Sequence, residues 1–256
     1  MVALKIESRS NPLIKHLRKL GVSRSYRKET REFLCDGPKL LEEAYKSGAD
    51  IKEVLVDEAF WGELQIRLPW VKETKVTLCS QSLIDAASAV ESPQGVLFSC
   101  AMPEYKIENA DKIILLDHLQ DTGNMGTIIR TADAFGINAV IAEESADFWN
   151  PKTVRATMGA LFRIPLFSAP ILVAIDECRR AKIPVYAAVL DSRAKQPGQI
   201  DVSRCAIVIG NEGNGVRREV ADHADGTIYI PMPGKAESLN AAVAASILMW
   251  EMTRQN

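Results

Sequence analysis

The chain has 256 residues, 47% of them hydrophobic, and its 31 Lys and Arg against 33 Asp and Glu leave a formal net charge of -2. That length holds one large domain or two smaller ones with a sizeable core, and so small a net charge excludes attraction of a polyanion by the field of the whole molecule. The cysteines and histidines lack metal-type spacing, no apolar signal core opens the chain, and the longest apolar run, near residues 241–250, is too short for a bilayer; the expectation is a cytoplasmic protein with free thiols, no metal and no membrane segment.

Charge is spread unevenly. Arg9, Lys15, Arg18, Lys19, Arg24, Arg27, Lys28 and Arg31 stand against one acid, Glu29. This stretch carries +7 and leaves -9 for the remainder, a pattern that marks a polyanion-binding element. Within it, Asn11-Pro12 opens a helix through Leu13, Leu17 and Leu20, with Pro12 suited to the first helical position and Gly21 to the end. A strand at 33–35, a helix at 38–47 closed by Gly48, and strands at 51–56, 76–78 and 96–99 follow. They make a small α/β unit. Polar, proline-bearing 103–106 reads as a linker, which divides the chain into domains at 1–104 and 105–256.

The second domain opens with a nearly unbroken apolar strand at 112–117, the pattern of a sheet buried on both faces. A helix at 124–135 carries Met125, Ile128, Ile129, Ala132 and Phe135 on one stripe and stops at Gly136. Next come a strand at 139–142, helices near 151–159 and at 171–181, and strands at 185–190 and 206–209. A short helix after Gly215, a strand at 227–230 and a closing helix complete the chain. This alternation predicts an α/β fold with a mostly parallel sheet.

Ligands of such sheets sit beyond the carboxyl ends of the strands. Three loops leave strands there: residues 117–126, residues 210–215 (Gly-Asn-Glu-Gly-Asn-Gly) and residues 230–240. In the third, Pro231 and Pro233 stop a strand, and Ser238 is the predicted N-cap of the closing helix. The glycine spacing of the second loop is the reverse of a dinucleotide fingerprint, and Glu212 within it repels a pyrophosphate. No Gly-Lys-Ser/Thr triplet makes a P-loop. What remains is a set of free backbone groups suited to a small polar ligand. Asn124, Arg130, Glu212, Ser238 and Asn240 are the candidate side chains around these loops. Arg130 lies off the apolar stripe, and its guanidinium suits a phosphate. Each residue has a plainer reading: Asn124 as a helix cap, Arg130 as a surface charge, Glu212 as a turn carboxylate.

Asn124-x-Gly126-x-x-x-Arg130, Ile209-Gly-Asn-Glu-Gly-x-Gly215 and Ile230-Pro-Met-x-Gly-x-x-x-Ser238-Leu-Asn240 resemble the three motifs of the SpoU/TrmH-type RNA 2′-O-ribose methyltransferases of the SPOUT superfamily, in the family's order. Residues 33–44 and 92–97 resemble its substrate-binding domain, which is similar to ribosomal protein L30e. Cys35-Asp36 departs from the more frequent aliphatic residue and Glu.

The resemblance implies an L30e-like α/β domain followed by an α/β domain with a trefoil knot. Sequence physics alone predicts an open Rossmann-like sheet, because knots are so rare. The resemblance also implies S-adenosylmethionine, bent in the knot and held largely by backbone groups at Leu190, Gly210, Ile230, Met232 and Leu239. It places Asn124, Arg130, Glu212, Ser238 and Asn240 at the reacting end. Arg130 then either activates the ribose 2′-hydroxyl or clamps the adjacent phosphate, and its protonated state favours the clamp. The basic stretch becomes an RNA-binding element through Arg9, Lys15, Arg18, Arg24, Arg27 and Lys28. A homodimer through the knot domain is implied, with the closing helix near Trp250 as dimer contact or core. Structured RNA is the implied substrate, ribosomal (23S-type) RNA ahead of transfer RNA. A non-catalytic RNA-binding or assembly protein that retains the knot is the alternative from another class, and the intact set of five side chains argues against it.

Overall fold

The computed structural model describes residues 4–106 and 110–254. The chain divides into two compact units. One comprises the residues up to Glu104 together with Trp149–Phe162; the other comprises Tyr105–Phe148 and the residues from Arg163 onward. The expected contiguous division at 104 assigns 149–162 to the second domain, whereas this segment belongs to the first unit. The return of 149–162 to the first unit is not foreshadowed by composition.

The first unit is built on a five-stranded sheet. Its strands are β1 (Leu4–Lys5), β2 (Glu32–Asp36), β3 (Ile51–Asp57), β4 (Thr77–Cys79) and β5 (Val96–Ala101), in the order β1-β4-β3-β5-β2. β5 is antiparallel to both its neighbours and the other pairs are parallel. Helix α1 (Pro12–Val22) starts where Asn11 Oδ1 accepts the Leu13 backbone N–H at 2.9 Å. Its buried Ile14, Leu17 and Leu20 recur at helical spacing and pack on Leu34, Leu55 and Leu97 of the sheet. Burying each such side chain contributes about 1.5–3 kcal/mol. Gly21 lies within the last turn rather than after it. A β-carbon there would stand 2.8 Å from the β-carbon of Ala89, so close packing and not chain reversal requires this glycine.

Helix α2 (Arg24–Thr30) is an element the sequence reading left out, capped by Ser23 Oγ, which accepts from the Tyr26 amide at 3.2 Å. Helices α3 (Pro38–Lys46), α4 (Glu58–Arg67) and α5 (Gln81–Ala87) complete the run to Glu104, and the last two were also unpredicted. The segment 149–162 carries α7 (Pro151–Ala156), shorter than expected. It packs on β2, where the Phe33 ring lies 4.6 Å from Trp149 and 6.1 Å from Phe162.

Asp36, one of the two residues that depart from the resembled pattern, ends β2 with both carboxylate oxygens buried. Burial pushes its carboxyl up to about 6, with the Arg155 charge only partly offsetting this. A raised carboxyl favours the folded state most when it is protonated. Its contribution is full below the unfolded value of about 4 and is lost as pH rises through about 6, a swing of roughly 1–3 kcal/mol. Between pH 4.5 and pH 7.5, Asp36→Asn is therefore expected to gain stability relative to the unsubstituted protein by that amount. Denaturant melts of both proteins at both pH values check this. Parallel pH profiles would show that the carboxylate carries no such cost.

The second unit holds a six-stranded sheet in which every pair is parallel. The strands are β6 (Lys112–Asp117), β7 (Ala139–Glu143), β8 (Leu166–Ser168), β9 (Val185–Ala188), β10 (Cys205–Ile209) and β11 (Gly226–Ile228), in the order β11-β9-β10-β6-β7-β8. β6 and β10 are central and buried almost throughout, as their apolar runs require. Helices α8 (Ile171–Arg180) and α9 (Arg218–His223) cover one face, where Ile171, Ile175 and Val220 meet Leu115, Val185 and Val208. Helices α6 (Thr122–Ala134) and α10 (Ala241–Arg254) pack on each other, and α10 also packs on β10.

Four boundaries correct the sequence reading, and all bear on the loops. β9 and β11 end at Ala188 and Ile228, two residues earlier than expected. Beyond them the Val189 amide donates to the Ile228 carbonyl at 3.0 Å, and the Tyr229 amide to the Lys195 carbonyl at 2.9 Å. Leu190 and Ile230 are thereby released into loops. α6 starts at Thr122, because Asp121 Oδ1 accepts the Asn124 backbone N–H at 2.7 Å. Asn124 is thus not the cap. α10 is capped by Asn240, whose Oδ1 accepts from the amides of Ala242 (2.9 Å) and Val243 (3.2 Å), rather than by the expected Ser238.

Candidate active site

The carboxyl ends of β6, β9, β10 and β11 face the three unusual loops. A cavity of about 310 Å³ opens among them. Its walls are residues 188–190 after β9, residues 209–216 around the end of β10, and Ile230, Met232, Ser238 and Leu239 after β11, with Ala241 and Ala244 of α10 behind. All five residues assigned to the cofactor, Leu190, Gly210, Ile230, Met232 and Leu239, line this cavity together. Most of the lining residues belong to loops. Gly210 has no room for a side chain: a β-carbon would meet the Gly215 carbonyl carbon at 2.0 Å and the Val216 nitrogen at 2.1 Å. The two arms of this loop therefore touch. The Asn211 and Gly215 backbones exchange hydrogen bonds of 3.0 and 2.9 Å across it.

Beside the cavity, one chain of hydrogen bonds joins all three loops. Asn240 uses its oxygen to cap α10, which turns its Nδ2 toward Asn124 Oδ1, 3.0 Å away. Asn124 Nδ2 then donates to Glu212 Oε1 at 3.1 Å. Glu212 also accepts the backbone N–H groups of Asp121 at 2.9 Å and Gln120 at 3.1 Å. Each donor meets an acceptor. The carboxylate lies at the amino end of α6, where free amides and the helix dipole favour negative charge. Partial burial pushes the Glu212 carboxyl up, but the hydrogen bonds from Asn124, Asp121 and Gln120 outweigh it and leave it below its usual value. Glu212 is thus a charged tie between two loops, a stronger role than the turn carboxylate of the plainer reading.

The other two candidates stand apart from this chain. Ser238 is exposed on the cavity wall. Arg130 is exposed on α6 and makes no hydrogen bond or ion pair with any described residue. Sequence reasoning missed Asn211. Its Oδ1 accepts from the amides of Gly213 (2.9 Å) and Asn214 (3.1 Å), while its Nδ2 donates to the His118 carbonyl at 2.9 Å. The signal was its place between Gly210 and Glu212, where an Asx turn lets a short side chain shape the loop.

In the first unit, Arg9, Lys15, Arg18, Arg24 and Lys28 are exposed and make no ion pair with described residues. Arg27 corrects the expectation of a sixth phosphate contact. It is only 3% exposed, and Nη1 donates to the Leu20 carbonyl at 2.6 Å, so it ties α2 to the end of α1. Among the described residues no group of three or more His, Cys, Asp or Glu side chains is placed to hold a metal ion, and no helix is long and apolar enough to cross a membrane.

Comparison with known proteins adds to this geometry. The SpoU rRNA Methylase family model matches residues 111–250, and the MRM3-like substrate binding domain matches residues 11–97. The chain is 37% identical over 250 residues to the 23S rRNA (guanosine(2553)-2′-O)-methyltransferase RlmP of Bacillus subtilis, a match that spans 96% of this chain and 98% of that protein. Among solved structures, a TrmH-family chain from Porphyromonas gingivalis superposes with a TM-score of 0.85 at 32% identity, over 96% of this chain and 99% of that one. An AdoMet-bound rRNA methyltransferase from Sinorhizobium meliloti superposes with a TM-score of 0.82 at 30% identity, over 98% of both chains.

Proposed function

The chain belongs to the SpoU rRNA methylase family, and we propose that it transfers a methyl group from S-adenosylmethionine to a ribose 2′-hydroxyl of 23S-type ribosomal RNA. The observation that carries this reading is the hydrogen-bond chain Asn240–Asn124–Glu212 at the rim of the cavity. It joins the three motif loops of a methyltransferase fold at one point. Full-length similarity to an enzyme acting on 23S rRNA favours ribosomal over transfer RNA.

The residues present fit the cofactor. The cavity volume, about 310 Å³, is that of a small-molecule site. No Lys or Arg lines it, and its one charged side chain is Glu212. Such a wall repels a pyrophosphate and suits an adenosyl group bearing a sulfonium. Backbone groups at Gly210, Ile230 and Leu239, with the side chains of Leu190 and Met232, would hold it. Bound there, the cofactor would supply the methyl carbon, a new carbon–oxygen bond replacing its carbon–sulfur bond while the hydroxyl proton passes to solvent or a basic group.

The protein's task is to bring a poor nucleophile into line with that carbon. Holding the hydroxyl at near-attack distance supplies a large part of the acceleration. Arg130, free of hydrogen-bond and ion-pair partners among the described residues, clamps the phosphate beside the target ribose. Asn124, Glu212 and Asn240 keep the motif loops in register around it, and Ser238 serves the same end of the site.

Lys15, Arg18, Arg24 and Lys28, with Arg9, contact RNA phosphates from the first unit. Their exposure and lack of ion pairs support this. A knotted C-terminal path accounts for the chain after β11, which runs beside Lys195 and returns across β10 to α6. A homodimer in the cytoplasm completes the reading. Half-exposed Trp250, whose ring lies tilted 5.7 Å from that of Phe135, supports the outer face of α10 as its contact.

Transfer of labelled methyl from S-adenosylmethionine to RNA lacking 2′-O-methyl marks tests the proposal. Label is expected in one 23S nucleotide. Changing Lys15, Arg18, Arg24 and Lys28 to Ala together is expected to raise KM for RNA at least about 10-fold and to flatten its salt dependence. Affinity for S-adenosylmethionine should be untouched. Label confined to transfer RNA, or no transfer at all, would reject the substrate or the activity respectively.

A further inference from the structure

The loop at 210–217 is held to β6 at both its ends, by grips that differ in kind. At the entry, Ile209 pairs with Leu116 in the sheet. At the exit an ion pair between a buried carboxylate and a partly exposed guanidinium takes over. Asp117, the last residue of β6, has a side chain with no exposure. Its Oδ1 accepts from Arg217 Nε at 2.6 Å, and its Oδ2 accepts the Arg217 backbone N–H at 2.8 Å. Arg217 Nη2 donates to the Glu143 carboxylate, and Nη1 to Glu219 at 2.9 Å. Asp117 and Glu143 are register partners on β6 and β7. The guanidinium therefore lies across the carboxyl ends of two neighbouring strands.

A second arm reaches the same carboxylate. His118 Nδ1 stands 3.0 Å from Asp117 Oδ1, and His118 Nε2 stands 3.0 Å from Glu144 Oε2. His118 and Glu144 both occupy left-handed backbone conformations, at φ 60° and 42°. Such angles are uncommon for residues with side chains and persist where surroundings impose them. The His118 carbonyl in turn accepts from Asn211, inside the loop. Loop, strand end and buried carboxylate form one connected group.

We infer that Asp117 and Arg217 are positioning residues for the cofactor loop, setting the wall of the cavity through the exit of the 210–217 segment. The inference rests on the S-adenosylmethionine reading above. Its geometric reason is the absence of slack. Gly210 lies against Gly215 and Val216 so closely that no β-carbon fits between them. Any shift of Arg217 therefore displaces Val216 and Gly215 against Gly210, all three of which line the cavity. Loss of the guanidinium leaves the fully buried Asp117 carboxylate with only the residue 217 amide and His118 as partners and removes the bridge to Glu143, which loosens the exit. Lysine does not substitute, since a point charge cannot bridge Asp117 and Glu143 as a planar fork does.

The test compares the full-length protein with Arg217→Lys, Arg217→Met and Asp117→Asn. Affinity for S-adenosylmethionine is read by calorimetry well below the melting temperature, and steady-state constants are read with RNA. Both Arg217 variants are expected to weaken S-adenosylmethionine at least about 10-fold, as coupled contacts do. The loss should lie mainly in KM for the cofactor, with KM for RNA unmoved. The double variant Arg217→Met with Asp117→Asn should bind no worse than the poorer single one. A lowered melting temperature with unchanged cofactor affinity in the Arg217 variants would assign the pair to stability alone and overturn the inference. Should Asp117→Asn fail to fold, the two Arg217 variants decide the matter. An unsubstituted chain that takes up no S-adenosylmethionine would overturn both this inference and the reading beneath it, whereas uptake by it and by the variants alike overturns this inference only.

Discussion

Asn124→Ala lowers single-turnover methyl transfer by about 100-fold or more while the protein stays folded, an effect of the size expected when reacting groups are misplaced by about an ångström. Asn124 hydrogen-bonds to both of the other motif loops through its side chain, to Glu212 at 3.1 Å and Asn240 at 3.0 Å. Removing it leaves an amide and a carboxylate that both reach solvent, so each lost hydrogen bond costs only about 0.5–1.5 kcal/mol in stability. The register of the loops suffers more than the fold. Glu212→Ala acts on the same chain of bonds and also frees the Gln120 and Asp121 amides. The two substitutions together should therefore cost less than the product of their separate effects. The lowered Glu212 carboxyl sets the pH window. A depressed carboxyl contributes its stability above the unfolded value of about 4.3, and that contribution fades as pH falls through the folded value. Mild acidification toward pH 5 should leave the loop tie intact. Single-turnover rates and melting temperatures for the two single variants and the double check this; a rate for Asn124→Ala within about threefold of the unsubstituted protein would show that the chain of bonds merely packs the loops.

How far these features could be read from the chain depended on the range of the contacts behind them. β6 and β10 were legible because a strand buried on both faces must be apolar throughout. The stripe of α6 was legible because one face meets α10. β8 has three residues and no pattern of its own, and it exists because β7 lies beside it. The seven-residue α2 is polar on most of its surface, so nothing in composition separates buried Arg27 from exposed Arg24 and Lys28. The return of 149–162 to the first unit depends on Phe33 meeting Trp149, over a hundred residues away. The same holds at the site. Glycines and prolines marked all three loops, and family resemblance placed the five candidate side chains at the reacting end. Neither distinguished Asp121 from Asn124 as the cap of α6, because both residue types cap helices. Only the demand of Glu212 and Asn240 on the Asn124 side chain decides between them. Asp117 and Arg217 are a hundred positions apart, and each alone reads as an ordinary strand-end acid or a surface base.

Arg130→Ala is expected to reduce methyl transfer by about 1,000-fold or more, the upper part of the range seen when one preorganised charged or polar group is removed from a transition state. Stability should hardly change. Arg130 is exposed and makes no hydrogen bond or ion pair with a described residue, and substitutions at such surface positions usually lie within about 0.5 kcal/mol. Affinity for S-adenosylmethionine should also hold, since Arg130 does not line the cavity. A guanidinium that is exposed and without a hydrogen-bond or ion-pair partner among the described residues has its donors available for a ligand. Two roles fit such a group, and Arg130→Lys separates them. A phosphate clamp keeps its charge in lysine and loses only the fork, so part of the rate returns and the pH–rate profile keeps its shape. A proton acceptor must be neutral in the reacting complex. Lysine releases its proton more readily than arginine, so in that role the rising limb of the profile would move to lower pH. We expect the first outcome, with KM for RNA raised in Arg130→Ala and the profile of Arg130→Lys unshifted. A shifted limb would transfer the proton to Arg130, and near-normal turnover in Arg130→Ala would remove this residue from the mechanism altogether.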